Sequence, residues 1–451
     1  MSESASTSQA AAPAESPLPP RGASPGGPHW SLFTHFAGFD WAKDHHDVTV
    51  VDRSGVVAME MRFDHTAEGW AVFAQKVRAF PTLALTIETS SGAVVERLLE
   101  MGLHVYPVHP TAAERFRDRK APGGVKSDRL DAWCMADALR TDGHAWRRLR
   151  PEDPLTQELR LLCRDEVALI EQRTALVNAL QAALGEYYPA ALDAFDNWTL
   201  PSAWAFVERF PAPAELARKG KRQWEKFLHT RKLARPEMYA ERLAVFAKAG
   251  AFVASPATTR AKSMLAVSLC VQLRALQGQL DEYRRRIQEL FAQHPDQGIF
   301  SSLPGAGPKL APRLLAECGT DRDRLGDHEA LQCLAGTAPV TRQSGQMRIV
   351  KQRLACNKLL KTTVHLWANL SRSTCVWADA YYKKKREQGK THACAIRCLG
   401  QRWLKILWKM WQDRKPYDEA VHTRNQVRHG SWVVRLIAAT PPATPSLATP
   451  R

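Results

Sequence analysis

The sequence contains no long apolar run, and none approaches the roughly 18 residues that a membrane-spanning helix needs. Cysteine is also scarce: the 451 residues include nine, an odd number without regular spacing. This pattern argues against a disulfide framework and fits a reducing compartment. The N-terminal stretch lacks the basic and apolar regions of a secretory signal. We therefore expect a protein of the cytoplasm with no membrane span.

Acidic residues are outnumbered by basic ones. The chain has 46 Asp and Glu against 63 Lys and Arg, a formal net charge of +17. Such an excess on a chain of this kind indicates a polyanionic partner, for which nucleic acid is the default. At about 100 to 200 residues per domain, the length predicts two or three domains. Charge alone does not say which nucleic acid is bound, or whether chemistry follows.

The first folded part is predicted to be an α/β domain over residues 31–147. Short runs rich in aromatic and β-branched residues, separated by turn signals, predict a three-stranded meander followed by two strand-helix repeats, in the order β-β-β-α-β-α-β. Two further helices follow. Antiparallel strands that continue into βαβ units imply a mixed sheet with helices on its faces. The predicted strands are 35–40, 46–52, 56–63, 83–88 and 103–108.

The rest of the chain is predicted to be all-α between two disordered tails. Residues 155–297 form a helical segment with two heptad-like leucine stripes, at 155–184 and 269–290. These stripes predict either an antiparallel hairpin within one chain or one half of a dimeric coiled coil, and both alternatives stay open. Residues 298–416 form a basic helical domain. The tails are 1–30 and 417–451, the second basic at first and then disordered.

Four acidic residues of the α/β domain lie at the ends of predicted strands or on its last predicted helix. Asp40 ends the first predicted strand and Glu88 ends the fourth. Asp128 and Asp131, three residues apart on the last helix, share one face of it. Carboxylates that meet at a sheet edge can hold Mg²⁺, and two such ions support phosphodiester chemistry. Each acid alone could be an ordinary surface or capping residue. Four acids at strand and helix ends, together with this strand order, are a more specific signal of a metal site than any one of them.

Three segments carry a family resemblance. FDWAKDHHDVTVVD, TIETSSG and KSDRLDAWCMADAL resemble the RuvC-like, RNase H-fold domain of the DEDD transposases of bacterial insertion sequences, which are related to the Piv-type DNA invertases. The resemblance implies that Asp40, Glu88, Asp128 and Asp131 are metal ligands. It also implies a structured guide RNA as a further partner, although nothing in the sequence independently indicates an RNA site.

A Pro-Gly-x-Gly turn lies between two apolar helical segments of residues 302–319. A helix-hairpin-helix of this kind can present backbone N–H groups at a helix N-terminus to a phosphate, with Lys309 close by. Gly-Pro turns between helices are common, so the signal alone is moderate.

Ser344 lies in a polar turn flanked by cations. Arg342, Arg348, Lys351 and Arg353 would stabilise charge that develops on a phosphate under attack by a serine. By itself this is an ordinary turn serine. Residues 298–411, however, resemble the C-terminal transposase domain of the same family, which implies that Ser344 is the nucleophile. The chain departs from the family's Gly-Asn and Leu-Arg pairs at Cys356-Asn357 and at 358–361, which weakens inference about neighbouring residues.

Basic and aromatic residues alternate farther along the chain. The tryptophans recur at helical spacing and are predicted to be core residues rather than base-stacking platforms. The cationic run Lys383, Lys384 and Lys385 is the better candidate for contact with nucleic acid.

The sequence therefore predicts a site-specific DNA recombinase that uses Mg²⁺ and a serine nucleophile on double-stranded DNA and assembles as a homodimer or homotetramer. One alternative is a metal-dependent RuvC-like nuclease or junction resolvase that uses water and leaves Ser344 idle. Another is a DNA-binding protein without catalysis. A protein-DNA adduct that resists denaturant would separate the first prediction from both alternatives.

Overall fold

A computed structural model describes residues 30–251 and 254–432. Residues 1–29 and 433–451 of the two predicted tails lie outside these ranges, whereas residues 417–432 of the second tail lie within them and contain a helix. The chain divides into two compact units: the first runs to Glu152 and includes Asp321–Gly326, and the second contains the rest. In the described ranges, no helix combines the length and the apolar character that crossing a membrane requires.

The first unit is built on the predicted mixed sheet. Its strands lie in the order β3-β2-β1-β4-β5, with β1, β2 and β3 antiparallel and with β4 and β5 parallel to β1. The predicted β-β-β-α-β-α-β order is confirmed. The elements are β1 His35–Trp41, β2 His45–Asp52, β3 Val57–Asp64, α1 Ala67–Val77, β4 Leu83–Ile87, α2 Ala93–Glu100, β5 His104–Pro107, α3 Pro110–Lys120 and α4 Asp128–Asp142.

The two faces of this sheet bury different helices. Ala37 and Phe39 of β1 pack in the cluster that contains α1 and α2. Phe36, on the opposite face, packs with residues of α4. Gly38 shares this second face, and a Cβ atom there would lie 1.9 Å from the carbonyl oxygen of Ala132. Only glycine allows so close an approach, so α4 lies directly against β1.

The second unit contains a long helical hairpin. Helices α5 (Pro154–Tyr187) and α10 (Pro256–Gln293) run antiparallel, because Glu158 pairs with Arg286 near one end and Glu186 pairs with Lys262 near the other. Stripe leucines such as Leu180 and Leu273 are fully buried. The two stripes thus pair with each other within the chain, as in the hairpin alternative.

Between these long helices lies a compact insert of four shorter ones. Its core is rich in aromatic residues, including Trp204, Phe206 and Phe210. The insert consists of α6 Pro189–Ala194, α7 Pro201–Arg209, α8 Pro213–Thr230, which breaks at Gly220, and α9 Pro236–Lys248.

The C-terminal part of the second unit is mostly helical, with Trp367, Trp377, Trp403 and Trp411 buried as core residues. One feature departs from the expected helical domain, a two-stranded hairpin around Ser344. Its two-residue turn needs the left-handed φ of +54° at Gly345. The elements are α11 Gln297–Ser301, α12 Gly307–Cys318, α13 His328–Leu334, β6 Val340–Ser344, β7 Met347–Lys351, α14 Lys358–Thr374, α15 Val376–Glu387, α16 His392–Asp413 and α17 Glu419–Arg428.

Candidate active site

Strand geometry sets the position of the first two carboxylates. Side chains alternate along a strand, so Asp40 shares the face of Gly38, which α4 covers. Asp40 is the sixth of the seven residues of β1 and pairs across the sheet with Asp47 of β2. Glu88 follows β4, which lies parallel to β1, by one residue. Both acids therefore lie at the ends of neighbouring strands.

The N-terminus of α4 supplies the other two carboxylates. The hydroxyl of Ser127 caps the helix and accepts a hydrogen bond of 3.2 Å from the backbone N–H of Leu130. Asp128 and Asp131 occupy the first turn, where the positive end of the helix dipole favours negative charge. Because Gly38 lets α4 approach β1, this turn lies beside the strand ends.

The four predicted acids are close enough to influence one another electrostatically. Burial raises the pKa of Asp40 to about 7, and the charges of Asp131, Glu88 and Asp128 add to the rise. Burial and Asp131 also raise the pKa of Glu88, against the opposing effect of Arg117 and Lys126. Among the described residues, no cation pairs with Asp40. The half-buried Asp40 thus lies beside other carboxylates rather than beside a cation.

Two arginines that the sequence analysis missed hold the acids of α4. Nη1 of Arg117 donates to both carboxylate oxygens of Asp131, each at 2.9 Å. Nη2 of Arg62 donates to Asp47 at 2.8 Å and to Asp128 at 2.9 Å. The pair of Arg117 with Asp131 is largely buried and fixes the orientation of that carboxylate. Arg62 and Asp128 are each more than half exposed, so their contact constrains Asp128 less.

Asp47 is a fifth carboxylate at the same face, and it is buried. Potential ligand atoms of His45, Asp47 and Asp128 lie within 4.8 Å of one another. The alternation of side chains along β2 was a signal in the sequence that Asp47 lies on the same face as Asp40. The pairing of Asp47 with Arg62 could not be predicted in this way, because it depends on the register between β2 and β3.

Ser344 ends β6 in the second compact unit, whereas the carboxylates belong to the first. Both strands of its hairpin are almost wholly exposed. Strand register and alternation put Ser344 on one face with Arg342 and Lys351, and Arg348 on the other face. Of the four predicted flanking cations, two therefore share the face of the serine, and the fourth, Arg353, lies beyond the hairpin.

The remaining predicted contact residues are lysines on helices. Lys309 is exposed in the first turn of α12. The run on α15 makes local contacts: Lys383 pairs with Asp379 at 2.9 Å, Lys384 pairs with Glu387 at 3.1 Å, and Lys385 lies 5.5 Å from the centre of the Tyr381 ring. Ion pairs between exposed groups are weak, so these lysines can exchange their partners for phosphates.

Comparisons with known proteins match both units. A family model for DEDD transposases of the IS110 type, described as "Transposase", matches residues 37–189. A second, described as "Transposase IS116/IS110/IS902 family", matches residues 297–383.

Similar proteins cover most of the chain. The mini-circle protein for IS117 from Streptomyces coelicolor, whose name designates it a transposase, is 35% identical over 86% of this chain and 96% of its own length. The IS116 44.8 kDa protein from Streptomyces clavuligerus is 27% identical over 85% of this chain and 96% of its own length. The IS110 43.6 kDa protein from Streptomyces coelicolor is also 27% identical, over 85% of this chain and 95% of its own length.

Proposed function

Because the chain belongs to the IS110-type family of DEDD transposases, we propose that this transposase is a site-specific recombinase that cuts and rejoins double-stranded DNA with a metal-binding acidic tetrad and a serine nucleophile. The observation that carries the proposal is the convergence of four carboxylates in the first unit, of which the half-buried Asp40 has no cation partner while Arg117 and Arg62 contact Asp131 and Asp128. Family membership favours this function over a nuclease or resolvase that uses water.

The first unit is proposed to be an RNase H-like, RuvC-like domain over residues 31–147. Support comes from its mixed five-stranded sheet, in which an antiparallel meander continues into two parallel strands. Further support comes from α4, the helix packed on the central strand, which carries two of the acids.

The acidic residues fit a hard divalent cation. Asp40, Glu88, Asp128 and Asp131 would hold Mg²⁺, since all their donor atoms are oxygens and the charge at Asp40 lacks a partner. Bound Mg²⁺ would supply positive charge to the phosphodiester. Arg117 orients Asp131, and Arg62 orients Asp128.

Ser344 is proposed to attack phosphorus. Its Oγ loses the hydroxyl proton and forms an ester bond to phosphorus while the P–O bond to one deoxyribose breaks. The deoxyribose oxygen leaves with the electron pair and takes up a proton to become a hydroxyl. The ester conserves the free energy of the phosphodiester, so a deoxyribose hydroxyl of another strand can displace the serine without an external energy source. Arg342 and Lys351, on the same face of the hairpin, would stabilise charge on the phosphate.

Three further parts of the proposal rest on the family and on charge. The chain is proposed to work as a homodimer or homotetramer, to take a structured guide RNA from its own element, and to act in the cytoplasm. The net charge of +17 supports nucleic-acid partners.

The decisive experiment is a search for a covalent adduct. Wild-type protein with element-end DNA and Mg²⁺ is expected to give a protein-DNA band that survives denaturant, and Ser344→Ala is expected to abolish it. Thr341→Ala is the matched control, because Thr341 is an exposed hydroxyl residue on the other face of the same hairpin. Normal strand joining by Ser344→Ala would refute the serine mechanism.

A further inference from the structure

The helical insert of the second unit contains a pocket of about 260 Å³. It lies away from the serine hairpin in sequence and uses none of the residues assigned above. Three cations, Lys232, Arg235 and Arg242, line it together with the apolar side chains Leu200, Leu233 and Met238. A single acid, Asp196, also lines it, so the charge of the lining is positive.

Arg242 is buried at this pocket without a carboxylate partner. Only 7% of the residue is exposed. Nε donates to the carbonyl of Ala194 at 2.9 Å, Nη1 donates to the carbonyl of Leu233 at 3.0 Å, and the guanidinium lies 5.3 Å from the centre of the Phe195 ring. Among the described residues, none forms an ion pair with it. The charges of Asp196 and Glu241 act on Arg242 only through space, without an ion pair, and burial lowers its pKa. An anionic ligand in the pocket would therefore neutralise this buried cation more directly.

Lys232 adds a second observation, because its backbone is left-handed, with φ of 55°. It follows the end of α8, where the N–H of Leu233 bonds back to the carbonyl of Leu228 at 2.8 Å. Glycine is the favoured residue at this position of a helix C-terminus. A lysine that accepts backbone strain and lines a pocket indicates that its side chain is used there.

The surroundings identify the kind of anion. Residues 218–235 contain eight Lys and Arg and one acid, Glu225. Such a surface suits a chain of phosphates better than a free anion. The volume of the pocket is below the roughly 300 to 1,000 Å³ of sites that bind drug-sized ligands. The part of a ligand that enters this pocket must therefore be small. Bases within a duplex are stacked and paired, so a base enters a pocket only from a single strand or after leaving the stack.

We propose that this pocket binds one nucleotide of a single-stranded nucleic acid. Its phosphate lies at Lys232, Arg235 and Arg242, and its base packs against Leu200, Leu233 and Met238. The neighbouring phosphates of the strand lie along the basic surface of residues 218–235. The assignment does not depend on Ser344 or on the acidic tetrad.

The test compares two variants of the full chain that each remove one positive charge from the insert. Lys232→Gly removes a pocket charge and relieves the left-handed strain, whereas Lys248→Gln removes an exposed charge at the end of α9 that does not line the pocket. The probes are fluorescein-labelled five-nucleotide oligouridylate and oligothymidylate, and binding is followed by anisotropy.

Lys232→Gly is expected to weaken oligonucleotide binding about tenfold, which is the loss of one charge-assisted contact. It should also raise the melting temperature and reduce the slope of log affinity against log salt by about 0.7. Lys248→Gln should change affinity less than twofold. A preference for oligouridylate would identify an RNA strand, and a preference for oligothymidylate would identify a DNA strand; either supports the proposal.

A third variant separates shape from charge. Met238→Trp keeps every charge and fills the pocket, and it is expected to weaken binding as much as Lys232→Gly does, with its folding checked by thermal melting. Equal losses in Lys232→Gly and Lys248→Gln would overturn the pocket assignment. Competition by inorganic phosphate or uridine monophosphate as strong as that by the oligonucleotides, or equal affinity for a five-base-pair duplex, would overturn the strand assignment.

Discussion

The acidic cluster of the first unit and the serine hairpin of the second unit are built in opposite ways. In the first unit, the acids lie at strand and helix ends, where Gly38 packs against Ala132 and Arg117 holds Asp131 in a largely buried pair. Arg62 contacts Asp128 in a more exposed pair. In the second unit, Ser344 lies on an exposed two-stranded hairpin. Isolated two-stranded hairpins are marginally stable in water. The contrast predicts that the fold organises the proposed metal ligands in advance, whereas contact with nucleic acid fixes the proposed nucleophile Ser344.

The largest expected effect comes from neutralising an acid. Asp40→Asn or Asp128→Asn is expected to reduce strand cleavage about a thousandfold or more, because the charge that holds the metal is lost. Lys and Arg residues carry affinity for the DNA backbone, so DNA binding should change little. Cleavage and binding are measured in parallel with Mg²⁺ present. Full cleavage by both variants would refute a metal role for these acids.

A smaller effect is expected on the free energy of unfolding, which compares how strongly the first unit and the hairpin depend on a glycine. Gly38→Ala would place a methyl group against the backbone of Ala132, so α4 must move, and a loss of about 1 to 3 kcal/mol in the free energy of unfolding is expected. Gly345→Ala, in the left-handed turn of the hairpin, should leave global unfolding almost unchanged because both strands are exposed. Chemical denaturation measures both variants. Equal destabilisation would contradict the contrast between the two regions.

Proton binding offers a third comparison. The folded protein holds a proton on Asp40 up to a pKa of about 7, whereas the ordinary value is 3.8. Between these values the folded state binds more protons than the unfolded state, so rising pH lowers the free energy of unfolding. The contribution of Asp40 to the melting temperature of metal-free protein should therefore fall from pH 4 to pH 7, about the two pKa values. His46 and His422, whose pKa values burial lowers to about 4, contribute in the opposite direction, so the contribution of Asp40 is measured as the difference between wild-type and Asp40→Asn protein.

Two controls sharpen that experiment. Asp40→Asn should remove the fall in melting temperature that Asp40 contributes, because the amide does not titrate. Mg²⁺ should raise the melting temperature most at the higher pH, where the carboxylates are charged. Ser344→Ala should leave the profile unchanged. A profile that Asp40→Asn does not alter would show that other groups cause the dependence.

The contrast also separates what the sequence could predict from what it could not. Alternating burial and turn signals predicted the sheet, and strand ends predicted where Asp40 and Glu88 lie. The partners Arg62 and Arg117 were missed, because they depend on strand register and on the packing of α3 against α4. The hairpin was missed because its exposed strands lack a strong apolar alternation; the Ser344-Gly345 turn was the available signal. The nucleotide pocket combines segments that no local pattern connects.

The smallest effect on stability is expected on the long helices of the second unit. Leu280 is fully buried between α5 and α10, so a charge there would disrupt the fold and could not report on assembly. Met264 and Val271, one heptad apart on α10, are instead 79% and 59% exposed. An exposed apolar stripe at this spacing is typical of a seam between subunits.

Met264→Lys combined with Val271→Lys should therefore lower the mass measured by light scattering, while the free energy of monomer unfolding changes by less than about 0.5 kcal/mol, as is usual for exposed positions. The control is Arg260→Lys, at a charged residue of the same helix, and this variant should keep the mass of the wild type. If the double variant folds normally and keeps the mass of the wild type, this stripe does not join subunits. The proposed homo-oligomer would then have to form through another surface.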